Sequence, residues 1–275
     1  MGLSDPPCTV HSRATKFLST YLANKMSNVF ASLRRFQAEG SRSHTSGYGM
    51  VAAPLLVPGQ VKTAANGQFS FGPATPYPFT CPSASTQVYL VGTGGQPIPG
   101  ITNSNLALMA GLGNCRDITN STFVSINELT TVATAYALQG FMSGIGSVST
   151  SATNITGLAN AVAAINQIVN TTTGNPSGPA LPSGALLPIA EINTLGDILA
   201  ACINSAGGVA NDSSPCGTFF QLTKSPSTPS DTIGAVLNLA RNPGRNVQAL
   251  FNMLQAQAPF QTALSVTPND FTLAI

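Results

Sequence analysis

The feature that most constrains this chain is how little charge it carries. Residues 125–142, SINELTTVATAYALQGFM, hold a single formal charge, Glu128, in an otherwise neutral and mostly apolar run. The whole chain of 275 residues is only 7% Asp, Glu, Lys and Arg, against roughly 25% in an ordinary soluble domain. Ion pairs can therefore do little to position its elements. Apolar periodicity, caps, turns and covalent cross-links must do so. With 43% hydrophobic residues a sizeable core is within reach, and the length suits one large domain or two small ones. A polar but nearly uncharged surface of Asn, Thr, Ser, Gly and Ala is in keeping with an extracellular or cell-surface setting.

The few charges are segregated. Residues 1–43 carry six basic side chains and two acidic ones, and residues 44–275 carry five basic and seven acidic. The main body has no basic footprint for nucleic acid. No apolar run is long enough to span a bilayer, and no apolar signal-peptide core opens the chain.

The pattern divides the chain into three expected units. Residues 1–43 form a basic amphipathic segment: Leu18, Leu22, Met26, Val29, Leu33 and Phe36 fall at helical spacing within residues 15–37. Such a helix could touch a membrane surface; the alternatives are a segment that docks elsewhere, one that stays loosely ordered, or one translated from a wrong start. Residues 44–100 are expected to be strands: two short extended runs flank Asn66-Gly67, a two-residue hairpin signal, and QVYLVGTGG follows. That makes too few strands to close a sandwich alone. Residues 101–275 read as an all-α helical bundle. Its expected helices lie in NSNLALMAGLG, residues 126–142, NITGLANAVAAINQIVNTTTG, EINTLGDILAACINSAGG, SDTIGAVLNLA and VQALFNMLQ. Pro243 should end one helix and begin the next, with Asn242 as the cap. The expected class is thus α+β, a partial antiparallel β-sandwich followed by an all-α helical bundle.

Five cysteines occur, none in C-x-x-C, and none of the four in the body is near a histidine, which argues against a zinc site there. In an oxidising compartment the four in the body should pair. Cys202 with Cys216 would staple a Gly/Asn/Ser/Pro-rich loop to a helix end, leaving Cys81 with Cys115 and Cys8 over. Ser125 and Glu128 have the spacing of a capping box, in which each residue satisfies the other's backbone amide. Glu128 is further expected to pair with Arg241, one of three arginines in the body.

No catalytic constellation is expected. Both histidines, His11 and His44, lie near the N-terminus, so a triad on the body lacks its base. No nucleophile elbow, P-loop, zinc-protease or dinucleotide fingerprint occurs. The GTGG at 92–95 reads as a loop. Lys62 has no acid nearby to assist a cross-link. Glu128, Glu191, Asp197 and Asp231 are expected near helix starts or on exposed faces. The alternative use for these four is a carboxylate-dependent polysaccharide hydrolase. A second alternative is a small membrane-associated protein anchored by residues 15–37.

TAANGQFSF, TCPSASTQVYLVGTGG, NLALMAGLGNC, FVSINELTTVATAYAL, GLANAVAAINQIVNTTTG, INTLGDILAACINS, DTIGAVLNLARNPGRNV and APFQTALSVTPNDFTLAI together resemble a group of bacterial surface or secreted proteins, acidobacterial in type. In these a carboxypeptidase-regulatory-like (transthyretin-like) β-sandwich precedes an Asn/Thr/Ala-rich helical region, and NHL-type β-propeller repeats often follow. The likeness covers about residues 46–275. It implies a non-enzymatic extracellular module with no cofactor and an extracellular or cell-envelope partner. Only the back half of the sandwich has a counterpart, so the chain is expected to be a piece of a larger exported protein whose export signal lies upstream.

Overall fold

The computed structural model describes residues 10–12, 30–35, 37–38, 55–56, 59–65, 67–72, 75–151, 153–256 and 258–274. Its class is mixed α+β. The largest sheet has four strands in the order β4-β2-β6-β7: β2 (Phe30–Arg35), β4 (Val61–Lys62), β6 (Gln87–Thr93) and β7 (Ala107–Asn114). All its pairings are antiparallel. A second sheet orders β5 (Ser70–Phe71), β1 (Val10–Ser12) and β8 (Thr122–Val124). Short strands β3 (Gln37–Ala38), β9 (Met142–Gly144) and β10 (Ser147–Thr150) form a third, and β11 (Val169–Asn170) pairs with β12 (Asn175–Pro176). Six helices accompany them among the described residues: α1 (Glu128–Leu138), α2 (Ile155–Ile168), α3 (Ile189–Ile203), α4 (Pro215–Leu222), α5 (Thr232–Arg241) and α6 (Val247–Phe251).

Three expectations are corrected. The stretch NLALMAGLG is not a helix but strand β7. Its side chains alternate between two cores: Leu108 and Ala110 join one cluster, Ala107 and Met109 the other. Apolar residues on both faces, with small Ala and Gly between them, suit a strand buried on both sides. Residues 101–275 are therefore not an all-α bundle, since β7 to β12 lie within them. Second, residues 30–35 of the expected N-terminal helix are strand β2, paired with β6 along its whole length. That pairing covers an edge β6 would otherwise leave open, and it overrides the local helical period. The earlier stripe positions Leu18, Leu22, Met26 and Val29, along with Phe36, lie outside the described residues, as do Asn66 and His44; His11 lies in β1. Third, Pro243 ends α5, but the next helix starts only at Val247, behind Asn246.

Strand β6 and helices α2, α3 and α5 fall where the sequence placed them. On α2, Leu158, Val162 and Ile165 turn inward and cover one face of β6–β7 together with Tyr89, Val91 and Met109. The opposite face, with Val88, Leu90 and Leu108, packs in a cluster containing Phe69, Phe71 and Phe79. Gly111 has a close-packing role: a methyl group there would overlap Ile165 Cδ1.

Helix α1 lies at the free edge of β7, and ten of its eleven residues are buried. A strand edge buried against a helix leaves amides in need of acceptors. Threonines supply them. The Met109 N–H donates to Thr131 Oγ1 at 3.0 Å and the Gly111 N–H to Thr134 Oγ1 at 3.2 Å. From α5, Thr232 Oγ1 accepts the Ala107 N–H at 2.8 Å. Residues 107, 109 and 111 alternate along the strand, so the edge-facing amides meet one hydroxyl each. Thr131 and Thr134 each donate their own hydroxyl proton to the carbonyl four residues back, Asn127 O and Thr130 O respectively, both at 2.7 Å.

Candidate functional site

The expected cysteine pairs both form. Cys81 and Cys115 are bridged with Cα atoms 5.7 Å apart, and Cys202 and Cys216 with Cα atoms 4.3 Å apart. The second bridge ties the end of α3 to the start of α4, and Asn103 Nδ2 donates to Cys202 O beside it at 2.9 Å. Two disulfides fit an oxidising compartment.

The expected capping box is displaced by two residues. Helix α1 is capped by Asn127, whose side chain accepts from the Thr130 N–H at 2.9 Å, while Thr130 Oγ1 accepts from the Asn127 N–H at 2.9 Å. Ser125 instead joins the 171–174 turn: its hydroxyl donates to Thr172 O and its N–H to Thr171 O. Glu128 is the first residue of α1 and is buried. Arg241 does not reach it. The guanidinium binds Gln139 O at the other end of α1, through Nε at 3.0 Å and Nη2 at 2.8 Å, and also Met142 O. Eleven helical residues, about 16 Å, separate the two ends. Arg241 thus satisfies carbonyls at a helix C-terminus, where a cation is favoured.

The four candidate carboxylates do not converge on one point. Asp231 caps α5, accepting from the Gly234 N–H at 2.8 Å. Asp197 is not on an exposed face. It is buried in the middle of α3, and Oδ1 accepts from the Phe260 N–H at 2.9 Å while Oδ2 has no hydrogen-bond partner. Burial above all, and then the neighbouring Glu128, push its carboxyl up to about 7 against the opposing Phe260 hydrogen bond. Glu191, in the first turn of the same helix, is also pushed up to about 7, first by burial and then by Asp270. Asp270 is held low by its hydrogen bonds with Thr272. Tyr136 of α1 faces Glu191 and Asp270; burial first and these acids next raise its phenol well above the usual range. Glu128 near Asp197 and Tyr136 near Glu191 show that α1 and α3 run antiparallel, with an acidic pair toward each end of their contact.

Asp270 and Tyr136 were missed by sequence reasoning, because nothing local links them to α3. A raised acid beside a depressed one is the electrostatic arrangement of an acid–base pair. A working pair also needs room for substrate. The described residues form an open cleft of about 540 Å³ at the 92–95 glycine loop, lined by Lys62, Thr93, Gly94, Gln96, Thr102 and Ser104. A small hollow lies beside Arg245 and Leu250. Neither includes Glu191, Asp197 or Asp270. Among the described residues no three His, Cys, Asp or Glu side chains are grouped to hold a metal ion, and no helix is long and apolar enough to cross a membrane. Comparison with protein-family models, curated proteins and solved structures finds no match.

Proposed function

We propose that this chain is a non-catalytic structural or interaction module of an exported bacterial cell-surface protein, whose strand region is the remnant of a carboxypeptidase-regulatory-like sandwich. The observation that carries the reading is the use of its polar groups. Thr131, Thr134 and Thr232 close a sheet edge, Asn127 and Asp231 cap helices, Arg241 binds carbonyls, and two disulfides staple the loops. Groups committed to holding backbone in place are not available for turnover. The sparsely charged, Asn/Thr-rich surface and the oxidised cysteines match an extracellular setting, and the role is presentation or spacing toward a cell-envelope partner.

The test is surface accessibility in the native cells. Intact cells are treated with a protease too large to enter, and the protein is then probed with an antibody to residues 101–275. The reading expects loss of the signal from intact cells and both disulfides mapped in the recovered fragments. A fully protected protein with four free thiols would overturn it.

The carboxylate-hydrolase reading retains one specific observation in its favour, the opposed shifts of Glu191 and Asp270. Single substitutions of Glu191 and Asp270 that abolish a measured glycan hydrolysis while preserving the fold would move it to first place.

A further inference from the structure

Residues 258–274 contain no helix or strand, yet they are held along α3 and α1 by a series of specific bonds. The Phe260 ring lies directly over Gly196, where a methyl group would come within 3.0 Å of it and within 2.5 Å of Leu129. Beside it, the Phe260 N–H donates to Asp197 Oδ1. One turn back on α3, Asn193 Nδ2 donates to Thr262 O at 3.0 Å, and Thr194 Oγ1 accepts from the Leu264 N–H at 2.8 Å. Farther along, the Phe271 N–H donates to Pro243 O at 3.1 Å, and the Tyr136 hydroxyl donates to Phe271 O at 2.9 Å. Phe260 and Phe271 are both buried, in different cores.

This segment is thus docked by two apolar plugs and side chains of one helix face, without a ladder of its own. Two of the groups on that interface are acids. Asp197 meets the segment at Phe260 and faces Glu128 of α1. Glu191 Oε1 is buried without a hydrogen-bond partner, and the charge of Asp270 in the segment acts on it, as both acids act on Tyr136 of α1. Among the described residues, no cation opposes them from the other packed helices. α4 and α6 carry no ionisable side chain apart from bridged Cys216, Asp231 is engaged at the cap of α5, and the Arg241 guanidinium is bound to the carbonyls of Gln139 and Met142.

We propose that residues 258–274 are a proton-gated strap, docked on α3 while Asp197 and Glu191 hold their protons and loosened when both ionise. The direction follows from linkage. Both carboxyls are raised in the docked state and return toward ordinary values when the segment lifts and water reaches them, so docking takes up protons. The hydrogen bond from Phe260 favours the ionised form of Asp197, but burial and Glu128 outweigh it. Acid therefore holds the strap and alkali releases it, through the window from about pH 4, where the released acids begin to ionise, to above 7.

The test is amide hydrogen exchange on the full chain between pH 5.5 and 8.5, corrected for intrinsic exchange rates. The protection factors of Phe260, Leu264 and Phe271 should fall at least about tenfold, and at every pH they should lie well below those of the paired amides in β6 and β7, because the strap opens without the sheet. Asp197→Asn combined with Glu191→Gln should flatten the fall. Glu191→Gln alone, which leaves the buried bond to Phe260 in place, should reduce it and covers the case where the double variant does not fold. Unchanged strap protection in the wild type would overturn the proposal. So would strap amides protected as strongly as those of β6–β7 throughout, or a fall undiminished in the variants.

Discussion

Replacing Thr131 by Val removes one hydroxyl and keeps the shape. The hydroxyl now does two things: it accepts the Met109 N–H at 3.0 Å and donates to Asn127 O at 2.7 Å. Thr131 and Met109 are both buried, so water cannot step in for the lost acceptor. A buried donor left unsatisfied costs about 1–3 kcal/mol. The added methyl recovers part of this, at most about 0.8 kcal/mol, and helix propensity barely changes between Thr and Val. The expected loss is about 1–2 kcal/mol. At roughly 2–4 °C per kcal/mol for a chain of this size, Tm should fall by about 2–8 °C. Thr134→Val should act similarly at Gly111, and the double variant should approach the sum. Exchange at the Met109 amide supplies the local readout: Thr131→Val should raise it about tenfold, and Thr131→Ser, which keeps the oxygen, should not. A Thr131→Val protein as stable as the wild type, with Met109 still protected, would refute the edge-sealing argument.

Opening the Cys81–Cys115 bridge by a double Ser substitution frees a 34-residue loop and should cost up to about 4 kcal/mol in chemical denaturation; opening Cys202–Cys216, with a separation of 14, should cost about 3 kcal/mol. Arg241→Met should lower stability by about 1–3 kcal/mol through the abandoned carbonyls of Gln139 and Met142, and Glu128→Gln should leave the Arg241 contribution intact in a double-mutant cycle. Thermal stability should be higher at pH 5 than at pH 8, because Asp197 and Glu191 are raised to about 7 in the folded chain; one unit is about 1.4 kcal/mol, which caps Asp197 near 4 kcal/mol, and solvent screening brings the expected change to about 1–2 kcal/mol. Gly111→Ala should destabilise by more than 1 kcal/mol, since Ile165 must move to admit the methyl.

What could be read in advance divides along physical lines. Helices α2, α3 and α5 show a single inward stripe, and a stripe is a property of the segment itself. Strand β7 shows none, because both its faces are buried and its edge is closed by α1; only its neighbours reveal that. The cap of α1 failed for a different reason. Ser125 and Asn127 are both good N-caps, and the choice between them depends on the 171–174 turn, which takes the Ser125 hydroxyl at Thr172 O and the Asn127 Nδ2 at Gly174 O, leaving Asn127 Oδ1 to accept from the helix. Asp197 sits off the Ile192, Leu195, Leu199 and Cys202 stripe and so reads as exposed, yet α3 is buried on every side from Ile192 to Ile203. The approach of residues 258–274, far away in sequence, is what closes over it. The disulfides were legible because cysteines are few: Cys202 and Cys216 flank one loop after a helix, and Cys81 with Cys115 follows by elimination.

The central claim is that the polar groups of this chain serve architecture and not turnover. Its most direct test is the purified, disulfide-bonded protein incubated with a broad panel of acidic and neutral polysaccharides, followed by reducing-end measurement alongside the Glu191→Gln and Asp270→Asn variants. The account predicts no release above the buffer control for any of the three. Release by the wild type that disappears in either variant, with circular dichroism and Tm unchanged, would contradict it.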